Sequence, residues 1–130
     1  MIALISDKEN VTFQELQKRV QERNQRKVNH SSDITVLVGT STIDFVVDFL
    51  AGLATGRPLA ITGAHWTETE SHARLELLKA PCHPETAVIL FTSGSTGHPK
   101  AVQLSRKNIE ANTRFYTKFL EVVEEANDKT

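Results

Sequence analysis

The sequence predicts an α/β fold with a small, mostly parallel sheet and flanking helices, and three observations carry that prediction. Apolar, β-branched runs at Ile34 to Val38, Pro58 to Ile61 and Ala87 to Phe91 alternate with longer stretches of helical pattern. The connections between them are short and punctuated by glycine or proline, at Gly39, at Gly56 to Pro58 and at Pro81 to Pro84. With 130 residues and 39% hydrophobic content, the chain is sized for one domain, residues 1–130, burying roughly two thirds of the surface its unfolded form exposes.

At the amino end, Ile2 to Ser6 reads as a short strand and Asp7 to Asn10 as a turn. Thr12-Phe13-Gln14-Glu15 has the spacing of a capping box and starts a helix that buries Phe13, Leu16 and Val20. The basic run Gln21 to Lys27 reads as a solvated helix end: Glu15 and Glu22 interleave the cations, and no aromatic is present to stack on a base.

Ile34 to Val38 is the clearest second strand and is expected, with Ala87 to Phe91, at the sheet centre. Gly39 stands alone in the turn that follows, which excludes a dinucleotide fingerprint with its several glycines. A helix from about Thr42 to Thr55 carries Ile43, Val46, Val47, Phe49, Leu50 and Leu53 on most of its sides and is expected to be deeply packed. Gly56 ends it, and the third strand follows Pro58. Thr67 to Lys79 predicts another helix, with Ala73, Leu75, Leu77 and Leu78 apolar and Glu68, Glu70 and Glu76 outside. In the linker between Pro81 and Pro84, Cys82 and His83 have no second spaced pair to complete a metal site, and neither do His65 and His72.

From Ala87 to Phe91 five apolar residues run without a break into Thr92-Ser93-Gly94-Ser95-Thr96-Gly97-His98-Pro99-Lys100, a loop of glycines and hydroxyls closed by a lysine. This pattern predicts an anion-binding loop at a strand's carboxyl end. Gly94 and Gly97 let backbone N–H groups approach an oxyanion, the hydroxyls of Thr92, Ser93, Ser95 and Thr96 add donors, and Lys100 supplies a compact positive charge. The 24 residues from Thr86 to Ile109 hold no carboxylate. Chance placement of acidic residues would put about three in such a window, so the surface suits an anion. A Walker loop is excluded because two residues, not four, separate Gly94 from Gly97, and a nucleophile elbow because Gly94-Ser95-Thr96-Gly97 is one residue short. Beyond the loop, Ala101 to Leu104 is expected to return as a hairpin strand. Ser105 then caps a helix with Ile109, Tyr116, Leu120 and Val123 on one stripe, flanked by Phe115 and Phe119, and the end from Glu124 is expected to fray.

The formal net charge of −1 excludes a general nucleic-acid or membrane-surface role. Cys82 is the single cysteine, so an intrachain disulfide is impossible and a reducing, cytoplasmic setting is expected. The opening residues lack a basic leader, and no apolar run approaches a bilayer-spanning length.

Phe91 to Lys100, continued by Ala101 to Ile109, resembles the phosphate-binding loop of the adenylate-forming enzymes, the superfamily of acyl-CoA synthetases, peptide-synthetase adenylation domains and luciferases. That loop reads Thr-Ser-Gly-Ser/Thr-Thr-Gly-x-Pro-Lys-Gly-Val and leads into Leu-Ser/Thr-His-Arg-Asn-Leu/Ile. Ala101 stands here where the family has Gly, and Arg106 where it has His. The strand, turn and Thr12-to-Leu16 opening, and the Pro58-Leu59 segment, are similar to the family's N-terminal part.

The resemblance implies ATP-dependent activation of a carboxylic acid as an acyl-adenylate, with ATP and Mg²⁺ as cofactors. It implies Thr92 as a magnesium ligand, Ser93, Gly94, Ser95, Thr96, Gly97 and Lys100 as the phosphate cradle, and Lys100 as the catalytic cation. It covers the N-terminal part only. No residue here matches the family's adenine pocket, ribose carboxylate, downstream glutamate or the lysine of its C-terminal lid domain, so the chain is expected to be a truncated member or one piece of a split enzyme, with a protein supplying the missing elements as the partner in the second case. The alternative is a non-catalytic phosphate-binding or protein-interaction module of the same descent.

Overall fold

The structure is a computed structural model and describes residues 2–25, 33–93, 98–114 and 118. At the amino end β1 (Ile2–Ile5) pairs antiparallel with β2 (Asn10–Thr12) in a two-stranded sheet. Ser6 ties their turn: its hydroxyl accepts from the amides of Lys8 at 3.3 Å and Glu9 at 3.1 Å. The sequence predicts only a turn before Thr12, because a strand as short as β2 shows no periodicity of its own.

α1 (Phe13–Gln25) starts at once, with the Thr12 hydroxyl accepting from the Glu15 amide at 3.2 Å. Leu16 and Val20 are half-buried, as their spacing requires, but Phe13 is 56% exposed. At the first helical position its Cβ leans back past the helix end, so it does not share the cover that its spacing promises.

The larger sheet has the order β3 (Thr35–Gly39), β4 (Leu59–Gly63), β5 (Thr86–Thr92), β6 (Lys100–Ser105). The first three strands are parallel and β6 returns antiparallel to β5, which is the mostly parallel sheet that the alternation of patterns predicts. One expectation is corrected: the strand at Ile34 to Val38 is not central. β3 lies at the sheet edge with Val38 54% exposed, and the centre is β4 and β5, where Leu59, Ala60, Val88 and Ile89 are buried. An apolar run marks a strand but says nothing about its lateral neighbours, and among the described residues no second strand covers β3.

α2 (Ile43–Thr55) joins β3 to β4. The Thr42 hydroxyl caps it by accepting from the Phe45 amide at 3.1 Å, and Gly56 closes it at φ 78°, a left-handed torsion that glycine adopts without a Cβ clash. Gly52 lets the helix backbone sit directly on Leu59, since a Cβ there would stand 3.0 Å from Leu59 Cδ1. Val47 and Ala51 are buried, whereas Ile43, Val46, Phe49, Leu50 and Leu53 are only half-buried. A helix apolar on most sides needs partners on most sides, and among the described elements α2 meets α1 and one sheet face. The α1 contact also occupies the expected solvated end of α1: Arg23 pairs with Asp48 and lies 3.9 Å from Asp44.

α3 (Glu68–Glu76), capped by Thr67, runs into a 3₁₀ turn (Leu77–Lys79) and joins β4 to β5. Leu75 and Leu78 line a groove with Ile34, Val36 and Pro58. Val36 pairs with Ala60, next to the Thr35–Leu59 pair, so this groove opens on the face away from α2 and helical segments flank the sheet on both sides. His83 and Thr86 both donate to Gln103 Oε1 at 2.9 Å, through backbone N–H and hydroxyl respectively, which ties the start of β5 to β6. No helix of the described residues is long and apolar enough to cross a membrane.

Candidate functional site

The apolar run of β5 fixes the strand in the core through Val88 and Ile89 and delivers its polar continuation to the carboxyl edge of the sheet. Open α/β sheets bind ligands at this edge. β3 and β4 end level with each other, with Gly39 paired to Gly63. β5 ends at Thr92, which is a strand residue rather than part of the loop, and Lys100 is the first residue of β6 rather than the last of the loop.

Thr92 and Lys100 are register partners across the antiparallel pair. Directly opposite residues project to the same face with Cβ atoms about 5 Å apart, so the hairpin delivers a hydroxyl and an ammonium side by side at the mouth of residues 93–99. Thr92, Ser93, His98 and Lys100 are all exposed. Gly94, Ser95, Thr96 and Gly97 lie outside the described residues, so of the predicted site residues the structure brings together Thr92, Ser93 and Lys100.

Charge is placed to suit an anion here. The ion pairs among the described residues join Glu9 to Arg19, Arg23 to Asp44 and Asp48, and Glu76 to His72 and Lys79, and none involves Lys100. Arg19 grips Glu9 with two hydrogen bonds, at 3.1 and 2.9 Å, which hold the Glu9 carboxyl below the usual range and push the guanidinium up. The hydrogen bond from Lys79 lowers Glu76 in the same way. Glu9 and Glu76 are thus engaged by cations on α1 and in the 3₁₀ turn after α3, and β5 and β6 carry no carboxylate.

The segment after the hairpin is anchored by a reciprocal cap. Ser105 Oγ accepts from the Asn108 amide at 3.1 Å, and Asn108 Oδ1 accepts from the Ser105 amide at 3.0 Å, which starts the helix over residues 106–114 as Ser105 predicts. Tyr116, Leu120, Val123, Phe115 and Phe119 lie outside the described residues. Arg106 reaches back to the end of α2, donating to the Leu53 carbonyl at 2.7 Å, the same oxygen that the Gly56 amide meets at 3.3 Å. Its guanidinium thus sits where a helix carries partial negative charge.

Sequence reasoning missed Trp66. Just past β4, the Trp66 amide donates to the Gly63 carbonyl at 3.3 Å and the indole covers Gly63, where a Cβ would stand 2.7 Å from Trp66 Cδ1. The indole meets Phe91 edge-on, with centroids 5.7 Å apart, and carries the Arg74 guanidinium 4.6 Å from its ring centroid. The available signal is that the chain's single tryptophan stands at a strand's carboxyl end.

The donor set fits a polyphosphate: exposed hydroxyls and an ammonium with no ion pair among the described residues, in a stretch without carboxylates. It fits Mg²⁺ as an ion carried by the phosphates; among the described residues no three His, Cys, Asp or Glu gather into a metal site. Magnesium bound to phosphates takes most of its ligands from phosphate and water, so the Thr92 hydroxyl is an adequate protein contribution.

Two comparisons bear on this site. The family model described as AMP-binding enzyme matches residues 26–129. Long-chain-fatty-acid–CoA ligase 5 of Rattus norvegicus is 48% identical over 44 residues, which is 33% of this chain and 6% of that protein.

Proposed function

The chain belongs to the AMP-binding enzyme family, and from that premise we propose that it provides the pyrophosphate side of an ATP-dependent carboxylate-activating ligase. In this reaction the carboxylate attacks the α-phosphate of ATP, the bond to the β-phosphate bridging oxygen breaks, and pyrophosphate leaves as the acyl-adenylate forms. The observation that carries the reading is the Thr92–Lys100 pair at the mouth of the 93–99 connection.

Each residue has a role in that reading. Lys100 neutralises charge developing on the departing pyrophosphate, a contribution that needs the cation in place before reaction. Ser93 and the residues from Gly94 to Gly97 hold the β- and γ-phosphates through N–H and O–H donors. Thr92 offers its hydroxyl to Mg²⁺, which when bound supplies Lewis-acid neutralisation of the phosphates. The acyl substrate is a carboxylic acid, and a long-chain fatty acid is the first to try, since the relative is named for one. Elements that hold adenine and align the acid come from outside these 130 residues, by continuation of the chain or from a partner protein.

Exchange of labelled pyrophosphate into ATP tests this, run with a panel of acids on the chain alone and then with the protein encoded next to it. The expected result is exchange only in the combined sample, lost on Lys100→Ala. Pyrophosphate binding without exchange in any combination would favour the non-catalytic module instead.

A further inference from the structure

Phe91 is the half-buried residue just before Thr92 and Ser93, and strand alternation points its ring to the side opposite the Thr92 side chain. What holds that ring from behind therefore sets where Thr92 and Ser93 emerge. The holder is the indole of Trp66, edge-on to Phe91 at 5.7 Å and 81°. The indole is itself located from two further directions. Gly63 gives it a seat that any Cβ would fill, and Arg74, whose Nη1 donates to the Glu70 carbonyl at 3.1 Å, lies over the ring.

β4 and β5 share backbone register at Leu59–Val88 and Ala60–Ile89 only, so their carboxyl halves meet through side chains rather than through a continued ladder. The Gly63–Trp66–Phe91 contact bridges the two strands at the level where the ladder has stopped. We infer that Trp66 is a positioning residue for the phosphate site, acting through Phe91 to place Thr92 and Ser93 without touching the anion. This rests on the reading of residues 92–100 as a phosphate site and adds a residue to it.

The test is calorimetric titration of the full chain with inorganic pyrophosphate, paired with emission from Trp66, the chain's single tryptophan. Wild type is expected to bind, with a change in Trp66 emission on saturation. Trp66→Ala should bind about tenfold more weakly, the scale of a lost aromatic pair plus its burial, while Trp66→Phe, which keeps an edge for Phe91, should recover most of the affinity. Gly63→Ala supplies a variant that retains the fluorophore: its Cβ must displace the indole, so it should show altered emission and the same loss of affinity at wild-type circular dichroism. Unchanged affinity in both Trp66→Ala and Gly63→Ala, alongside a wild type that binds, would overturn the inference and leave the phosphate reading intact. No binding by wild type would instead overturn the phosphate reading, and the inference with it.

Discussion

Arg106 shows how a departure from a family pattern finds a use in this fold. The family resemblance has histidine at this position; here the longer side chain reaches the Leu53 carbonyl at the end of α2. A cation there complements the helix dipole and gives a second donor to a carbonyl that otherwise holds only the 3.3 Å bond from the Gly56 amide. Arg106→Ala is expected to lower stability by about 1 kcal/mol, and Arg106→Lys to recover part of it, read from urea denaturation midpoints. Equal midpoints for all three proteins would show that the contact contributes nothing. Glu9 gives a pH signature. The hydrogen bonds from Arg19 lower its folded-state pKa, so the unfolded chain binds this proton more tightly. The stabilisation is complete above the ordinary carboxylate value, about 4.3, and fades as pH falls through the lowered one. Glu9→Gln should therefore cost stability at pH 7, with the gap narrowing below about pH 4 and shrinking in high salt. A gap independent of pH would remove the pair from the account.

Among the elements, the hairpin of β5 and β6 and the caps that flank the helices were the most legible. Thr12, Thr42, Thr67 and Ser105 each act where a hydroxyl precedes a helical pattern, and Gly56 ends α2 with the positive φ that its position suggests. Such signals are local, so a few residues suffice to read them. Ser105→Ala is expected to cost about 1 kcal/mol, and Asn108→Ala in the same background less than it does alone, because the two share one reciprocal cap. Strict additivity in that double-mutant cycle would contradict the cap. What stayed hidden depends on partners distant in sequence. The edge place of β3 follows from which strands exist, not from Ile34 to Val38 themselves, and β2 exists because β1 offers it a ladder. At the site, the residue types from Thr92 to Lys100 announced an anion, but the contact of Trp66 with Phe91 joins residues whose proximity only the packed sheet creates.

For the whole molecule, adenylation requires the nucleotide to be held at both ends while the acid lies in line with the α-phosphate. Misplacement by about 1 Å costs on the order of a hundredfold in rate. In the proposed reading, the ligands recognisable in these 130 residues belong to the pyrophosphate end. The chain by itself is therefore expected to give no ATP–pyrophosphate exchange with any aryl, fatty or amino acid; robust exchange abolished by Lys100→Ala would show that these residues suffice. Binding asks less than catalysis and reports on the loop directly. Calorimetric titration of the chain with pyrophosphate, ATP and AMP in the presence of Mg²⁺ is the most direct measurement. Pyrophosphate and ATP should bind more tightly than AMP, and Lys100→Ala should weaken pyrophosphate by about 1–2 kcal/mol, the scale of one charge-assisted contact. AMP binding as well as ATP, or a Lys100→Ala protein indistinguishable from wild type, would contradict the assignment of Thr92 to Lys100 as a phosphate site.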